Sequence, residues 1–386
     1  MRRKLTYRIG ICIVVLVVCV IGYWFSTRQT DNSLRIGAVI DLTGAAGVYG
    51  ENVKDGMDLA VKVVNEADGV NGRQVSLIYA DTMSEAKGAA LAAQRVIAQK
   101  VPAIVGAVAS TTTMTIAPIA QRAGVVLVSP TASNPEIPRI GDLIFRVWPS
   151  DTFEGSEMAR FARQQLGAAT ACILYINNDY GLGLAEVFAE TFTAGGGVVA
   201  LSEPLDEQST DFRTELAKVR RANPDVVYIP GYTKELGLAL RQYRELGITA
   251  QILSTATFEA PTLIADAGPA AEGVIYTAPA FSVDSEKEHV RNYVRAFEAE
   301  YGHQPDTIAS HGYDAVMIVV EAIRRGGTAP EGIRDALLGM QDYPGVTGAI
   351  SFEATGDVLK GIEFKTVSDG QFMKYAPEQQ ELAAVA

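Results

Sequence analysis

Residues 34–66 read LRIGAVIDLTGAAGVYGENVKDGMDLAVKVVNE. The first seven are almost all apolar and rich in β-branched side chains, the pattern of a short strand covered on both faces. A glycine-rich turn follows. From residue 50, Val53, Met57, Ala60, Val61 and Val64 then recur at helical spacing along one face. A buried strand that feeds an amphipathic helix is half of a parallel β-α-β unit, so the question is whether the unit repeats.

It repeats along most of the chain. Strands are expected at 74–80, 103–105, 125–128 and 144–147, with helices at 84–99 and from about Ser110. The alternation restarts at 171–175 (ACILY) and runs through strands at 198–201, 226–229 and 251–253. Helices at 180–192, 211–222 and 234–246 lie between them. The class is therefore α/β with parallel sheets packed between helices, in two runs that meet near Trp148. After a strand at 273–278 the pattern changes to helices at 290–301, 309–325 and 331–340. Asp369-Gly370 between apolar runs then signals a hairpin. No internal repeat, low-complexity segment or Pro/Gly/Ser linker separates the runs, so the chain is expected to cross between them on strands.

Length and charge narrow the function. At 386 residues two domains, or three, are expected. A 48% apolar, 20% charged composition is that of a globular protein. Net charge is −12. Five of the 33 cations lie in the first thirty residues, leaving 28 against 45 acids, or −17, for the rest. Such a body repels phosphate backbones, which argues against nucleic-acid binding. Two of three cysteines fall in the N-terminal apolar run, and Cys172 is alone beyond it. That excludes an intramolecular disulfide in the body and a cysteine zinc site; three scattered histidines make no metal site, and no cofactor is expected.

Residues 1–8 are basic, 9–25 carry no charge and 26–33 are polar. A basic flank stays in the cytoplasm, so the body is expected outside it, at the periplasmic or extracytoplasmic face. Tyr23, Trp24 and Phe25 stand where a signal peptidase wants small residues, and they suit a membrane interface. The reading favours an uncleaved anchor over a cleaved signal. No G-x-S-x-G, no phosphate-binding P-loop and no dinucleotide fingerprint is present, so no enzyme is expected.

What remains points to binding. In GAVASTTTMT (106–115) a buried strand runs into a helix that opens at Ser110. A helix N-terminus offers unpaired N–H groups and partial positive charge, and Ser110, Thr111 and Thr112 add hydroxyls, which suits a carboxylate. Plain N-capping by Ser110 is the competing reading. SPTASNP (129–135) leaves another strand end with Thr131 and Ser133, where turn chemistry alone also accounts for the prolines. Tyr49, Tyr180 and Tyr232 each stand in a loop after a strand. Ordinary packing explains one; three in equivalent places suggest a cleft. Asp81 reads as a loop acid at the same edge.

These stretches resemble the branched-chain amino-acid (leucine/isoleucine/valine) binding proteins of ABC importers, type I periplasmic binding proteins. The resemblance rests on 36–81, on GAVASTTTMTIAPIA (106–120), VLVSPTASNPEI (126–137), NNDYGLGLAE (177–186) and DVVYIPGY (225–232). GPAAEGVIYT (268–277) and YPGVTGAISFEATGDVLKG (343–361) complete it. It implies two doubly wound lobes joined by three crossovers and closing on a ligand. The lobes are expected at 34–148 with 279–347 and at 149–278 with 348–377, beside a signal or anchor at 1–30 and a frayed tail at 378–386. It further implies that Ser110 and its neighbours hold a ligand carboxylate, that Thr131 and Ser133 meet an amino group, and that the three tyrosines wall the pocket. The family's ammonium-pairing glutamate falls on Ala256 in this chain, with Glu259 three residues on. Relatives take amino acids, amides, urea or aromatic acids, and the implied partners are such a small molecule and a membrane permease. A membrane-anchored sensor built on the same cleft is the alternative. A repressor of this architecture needs a DNA-binding N-terminus, where this chain has a hydrophobic run.

Overall fold

The computed structural model describes residues 33–376; the expected leader and the tail beyond 377 lie outside the described residues. The chain begins with β1 (Leu34–Ile40), α1 (Gly47–Glu66), β2 (Val75–Asp81), α2 (Ala86–Ile97), β3 (Ala103–Gly106), α3 (Ser110–Ala123), β4 (Val126–Ser129) and β5 (Ile144–Arg146). These five strands form one parallel sheet in the order β2-β1-β3-β4-β5. Period-two alternation sorts β1 onto two covering layers. Ile36, Ala38 and Ile40 join the cluster that includes Val53, Met57 and Ala60 of α1, whereas Val39 joins Ala89, Ala93 and Val96 of α2. Both faces are covered, as the unbroken apolar run requires.

The second lobe opens with α4 (Asp151–Gln164), β6 (Thr170–Ile176), α5 (Asp179–Ala194), β7 (Val198–Leu205), α6 (Arg213–Ala222) and β8 (Val226–Tyr228). It continues through α7 (Thr233–Glu245), β9 (Gln251–Ser254), α8 (Pro261–Ala267) and β10 (Ile275–Pro279). The chain then returns to the first lobe as α9 (Glu288–Tyr301), α10 (Thr307–Gly326), α11 (Pro330–Leu338), β11 (Tyr343–Gly345) and β12 (Gly348–Ile350). It finally adds the hairpin β13 (Ile362–Ser368) and β14 (Gln371–Lys374) to the second sheet. That sheet runs β14-β13-β10-β9-β8-β6-β7, parallel except where β13 pairs antiparallel with β10 and β14. Asp369 and Gly370 form its turn, both at positive φ, as the sequence leads one to expect.

Three segments cross between the lobes, after β5, after β10 and before β13. The last division was expected at 347/348, which falls inside the β11–β12 hairpin. Phe352 bridges to Val358 and its ring meets Phe145 edge-on, and Asp357 pairs with Arg146 at 2.5 Å. Residues 348–358 therefore stay with the first lobe, and the crossing lies between 358 and 362. Among the described residues no helix is long and apolar enough to cross a membrane.

Candidate functional site

In a parallel α/β sheet the loops that leave the carboxyl ends of the strands gather on one edge. Here the two such edges face each other, and a cavity lies between them. The first lobe contributes Tyr49, Ser110 and Thr131, the crossing after β5 contributes Trp148, and the second lobe contributes Tyr180, Tyr232 and Thr257. Five of the sequence candidates thus meet in one place, although their positions span 49 to 232.

The lobes are shut over it. The Thr233 amide donates to Tyr49 Oη at 2.8 Å, and Oη lies 2.8 Å from Thr233 Oγ1. Asn134 Nδ2 donates to Asp179 O at 2.7 Å, and the Asp179 amide reaches Thr111 Oγ1 at 3.4 Å. The Tyr180 and Tyr232 rings stack 5.7 Å apart, 8° from parallel, and Tyr49 lies 5.6 Å from Tyr232. Burial pushes the Tyr49 phenol up to about 12, so it stays protonated.

Hydrogen positions follow from the acceptors. Ser110 begins α3, and the capping position falls to Ala109, which has no side-chain cap bond. Plain capping is therefore not its role. Its Oγ accepts from the amides of Ser133 (3.4 Å) and Asn134 (3.3 Å), so its own hydrogen is left to donate elsewhere. Thr131 does the reverse: it donates to Val108 O at 2.9 Å and keeps only lone pairs to offer. Thr257 donates to Gly231 O at 2.6 Å, and Thr255 and Tyr180 follow in line at 2.9 and 2.6 Å. The Tyr180 hydrogen is thus committed as well.

The remaining candidates are placed elsewhere. Thr112 is buried and bonds to Asp41 at 3.1 Å rather than facing the cavity. Thr111 lines the neighbouring opening and meets the second lobe. Ser133 is buried behind Ser110, with its amide on Ser110 Oγ. Ala256 sits in a 3-10 turn and borders an adjoining opening with Glu259. The Glu259 carboxylate is taken by Lys365 Nζ at 2.7 and 2.9 Å. Asp81 ties its own loop, accepting from the amides of Leu42, Thr43 and Met83.

Buried acids beside the site escaped the sequence reading, Asp41 and Glu154 among them. Asp41 follows β1 and is fully buried. Its carboxylate accepts from Val108 N (2.8 Å), Ala109 N (3.2 Å), Thr82 Oγ1 (2.7 Å) and Thr112 Oγ1. It takes the amides just ahead of α3 and leaves those of Ser110, Thr111 and Thr112, the first-turn donors without intrahelical acceptors. Burial pushes the Asp41 carboxyl up, against the pull of those four donors. Glu154, one turn into α4, accepts from Thr277 Oγ1 at 2.6 Å. The only available signal was an acid in the first turn after Ser150, a common helix start.

Burial pushes Glu154 up to about 7. A carboxyl raised in the folded state stabilises below its unfolded pKa, near 4.5, and that contribution is lost as pH rises through about 7. Wild-type protein is therefore expected to lose stability relative to Glu154→Gln between pH 4.5 and 7.5, by about 2 kcal/mol. Urea unfolding of both at several pH values checks this, and a constant difference across the range refutes it.

Two α/β lobes, three crossings and a cavity between facing strand ends are the architecture of a two-lobed binding protein. The periplasmic binding protein family model matches residues 33–369, and the chain belongs to that family, in its type I branched-chain amino-acid-binding branch. It is 30% identical over 342 residues to the leucine-, isoleucine-, valine-, threonine- and alanine-binding protein of Pseudomonas aeruginosa, covering 88% of this chain and 90% of that one. The leucine-binding protein LivK of Thermotoga maritima superposes with a TM-score of 0.84 at 33% identity, covering 89% and 98% of the two chains. LivJ of Streptococcus pneumoniae, solved with isoleucine, gives 0.81 at 29%, covering 88% and 97%. Such relatives are substrate-binding components of ABC transporters, and family membership implies an extracytoplasmic location.

Proposed function

We propose that this protein is the extracytoplasmic solute-binding protein of an ABC importer, that it takes a small carboxylate-bearing molecule between its lobes and that it passes the molecule to a permease. The observation that carries the reading is the Ser110 hydroxyl at the tip of α3, whose oxygen accepts from two amides, so that its hydrogen is free to be given to a guest. A carboxylate docks first on the first lobe, on that hydroxyl and the first-turn amides. The second lobe then swings over, a hinge closure in which Tyr180 and Tyr232 cover the guest and Tyr49 latches on Thr233. Excluding water strengthens each bond to the anion. A micromolar dissociation constant needs about 8 kcal/mol, within reach of a few charge-assisted bonds and an apolar pocket. In this reading residues 9–25 stay as a tether, supported by the aromatic end of that run, and N-terminal sequencing of exported protein tests it.

Thermal-shift screening of amino acids, amides and organic acids identifies the guest, because a ligand of the folded state raises the midpoint. Against the best acid found, Ser110→Ala is expected to weaken binding by roughly tenfold to a hundredfold, the worth of one hydrogen bond to a charged group. Unchanged calorimetric affinity removes the carboxylate assignment.

A further inference from the structure

We infer that the guest of this cavity is a carboxylic acid whose neighbouring substituent is a neutral hydroxyl rather than an ammonium, a 2-hydroxy acid in preference to the matching amino acid. The inference rests on the carboxylate reading above and adds what the rest of the cavity asks of a ligand.

A group on the carbon beside the carboxylate lies within a few ångströms of Ser110, so it must be served from the same cavity. An ammonium there carries three hydrogens and a full charge, and burying it calls for acceptors and an opposing charge. Among the described residues, no acidic side chain lines this cavity. Three of the acids that stand behind its walls are engaged by the protein, and a fourth, Asp151 beside Ser133, is buried with neither oxygen partnered; burial and the neighbouring Glu154 push its carboxyl well up, towards the neutral form. Asp41 accepts four donors, Glu154 accepts from Thr277, and Glu259 is paired with Lys365. Position 256, on the turn that reaches the cleft from the second lobe, carries only a methyl group.

The neutral groups match a hydroxyl instead. Thr131 Oγ1 has given its hydrogen to Val108 O, so it offers a lone pair and wants one donor. A hydroxyl supplies one hydrogen and no charge. The body of the molecule meets Tyr49, Trp148, Tyr180, Tyr232 and Ile308, an apolar and aromatic wall that suits a branched or aryl side chain.

The test uses matched pairs on the full chain: leucine against 2-hydroxy-4-methylpentanoate, and phenylalanine against 3-phenyllactate, by titration calorimetry. Each pair differs only in the ammonium or hydroxyl. The hydroxy acid is expected to bind tighter by roughly a hundredfold, the scale of an unpaired buried charge. Equal or tighter binding of the amino acid overturns the inference and leaves the carboxylate reading standing. Failure of both members of both pairs overturns the inference together with that reading.

Discussion

Asp41→Ala is expected to lower the unfolding free energy by about 4 kcal/mol, read from the urea midpoint at constant slope. The carboxylate holds four donors: the Val108 and Ala109 amides and the Thr82 and Thr112 hydroxyls. Methyl replacement leaves these in a water-poor interior, and each stranded donor costs about 1–3 kcal/mol. The hydroxyls can turn, and Thr112 already shares its hydrogen with Ala109 O at 3.0 Å. The amides cannot turn, so most of the loss is theirs. Asp41→Asn keeps the shape and one carbonyl acceptor, and its amide can donate to Thr82 Oγ1. It is expected to cost only about 1–2 kcal/mol. Equal losses in the two variants would show that the charge, not the count of satisfied donors, supports the turn. The turn matters to function because it sets where Ser110 stands relative to Thr131.

Asp41 also shows where reading a sequence stops. The alternation of apolar runs is a one-dimensional signal, and it placed the strands and helices because burial on both faces demands it. The convergence of Tyr49, Ser110, Thr131, Tyr180 and Tyr232 was legible for a related reason: every parallel strand delivers its following loop to the same edge. Direction within a loop was not legible. Thr111 and Thr112 are neighbours with the same hydroxyl, yet about 100° of helical rotation sends one to the second lobe and the other to Asp41. Asp41 and Asp81 end adjacent paired strands; one is sealed under the cleft and the other ties a surface loop. Trp148 and Ile308 reach the cavity from a crossing and from α10, and no local pattern marks them. The third crossing was expected at 347/348, which in the structure is the turn of a hairpin closed on the first lobe.

Gly56→Ala is expected to destabilise the protein by about 3 kcal/mol or more, against the direction that helix propensity alone dictates. Gly56 lies inside α1, where alanine normally gains about 1 kcal/mol over glycine. Here a Cβ would stand 1.8 Å from Ala309 O and 2.9 Å from the Tyr313 amide nitrogen, both backbone atoms of α10. No side chain can swing away, so the two helices must part. Gly312 stands in the reciprocal relation, with its Cβ position 2.4 Å from Val53 O. Two glycines facing each other's backbone let α1 and α10 approach closely, and overpacking such a seam costs more than propensity returns. Gly361→Ala is the control, since a Cβ there meets nothing within 4 Å; it is expected to change stability by under about 0.5 kcal/mol. The seam also sets the cavity, because α1 carries Tyr49 in its first turn and α10 carries Ile308 in its own. Parting the helices moves one wall from the other, so Gly56→Ala is expected to weaken ligand binding while Gly361→Ala leaves it unchanged. A stability gain in Gly56→Ala would mean that the helices yield without cost, and the close contact would then have no part in holding the first lobe's share of the site.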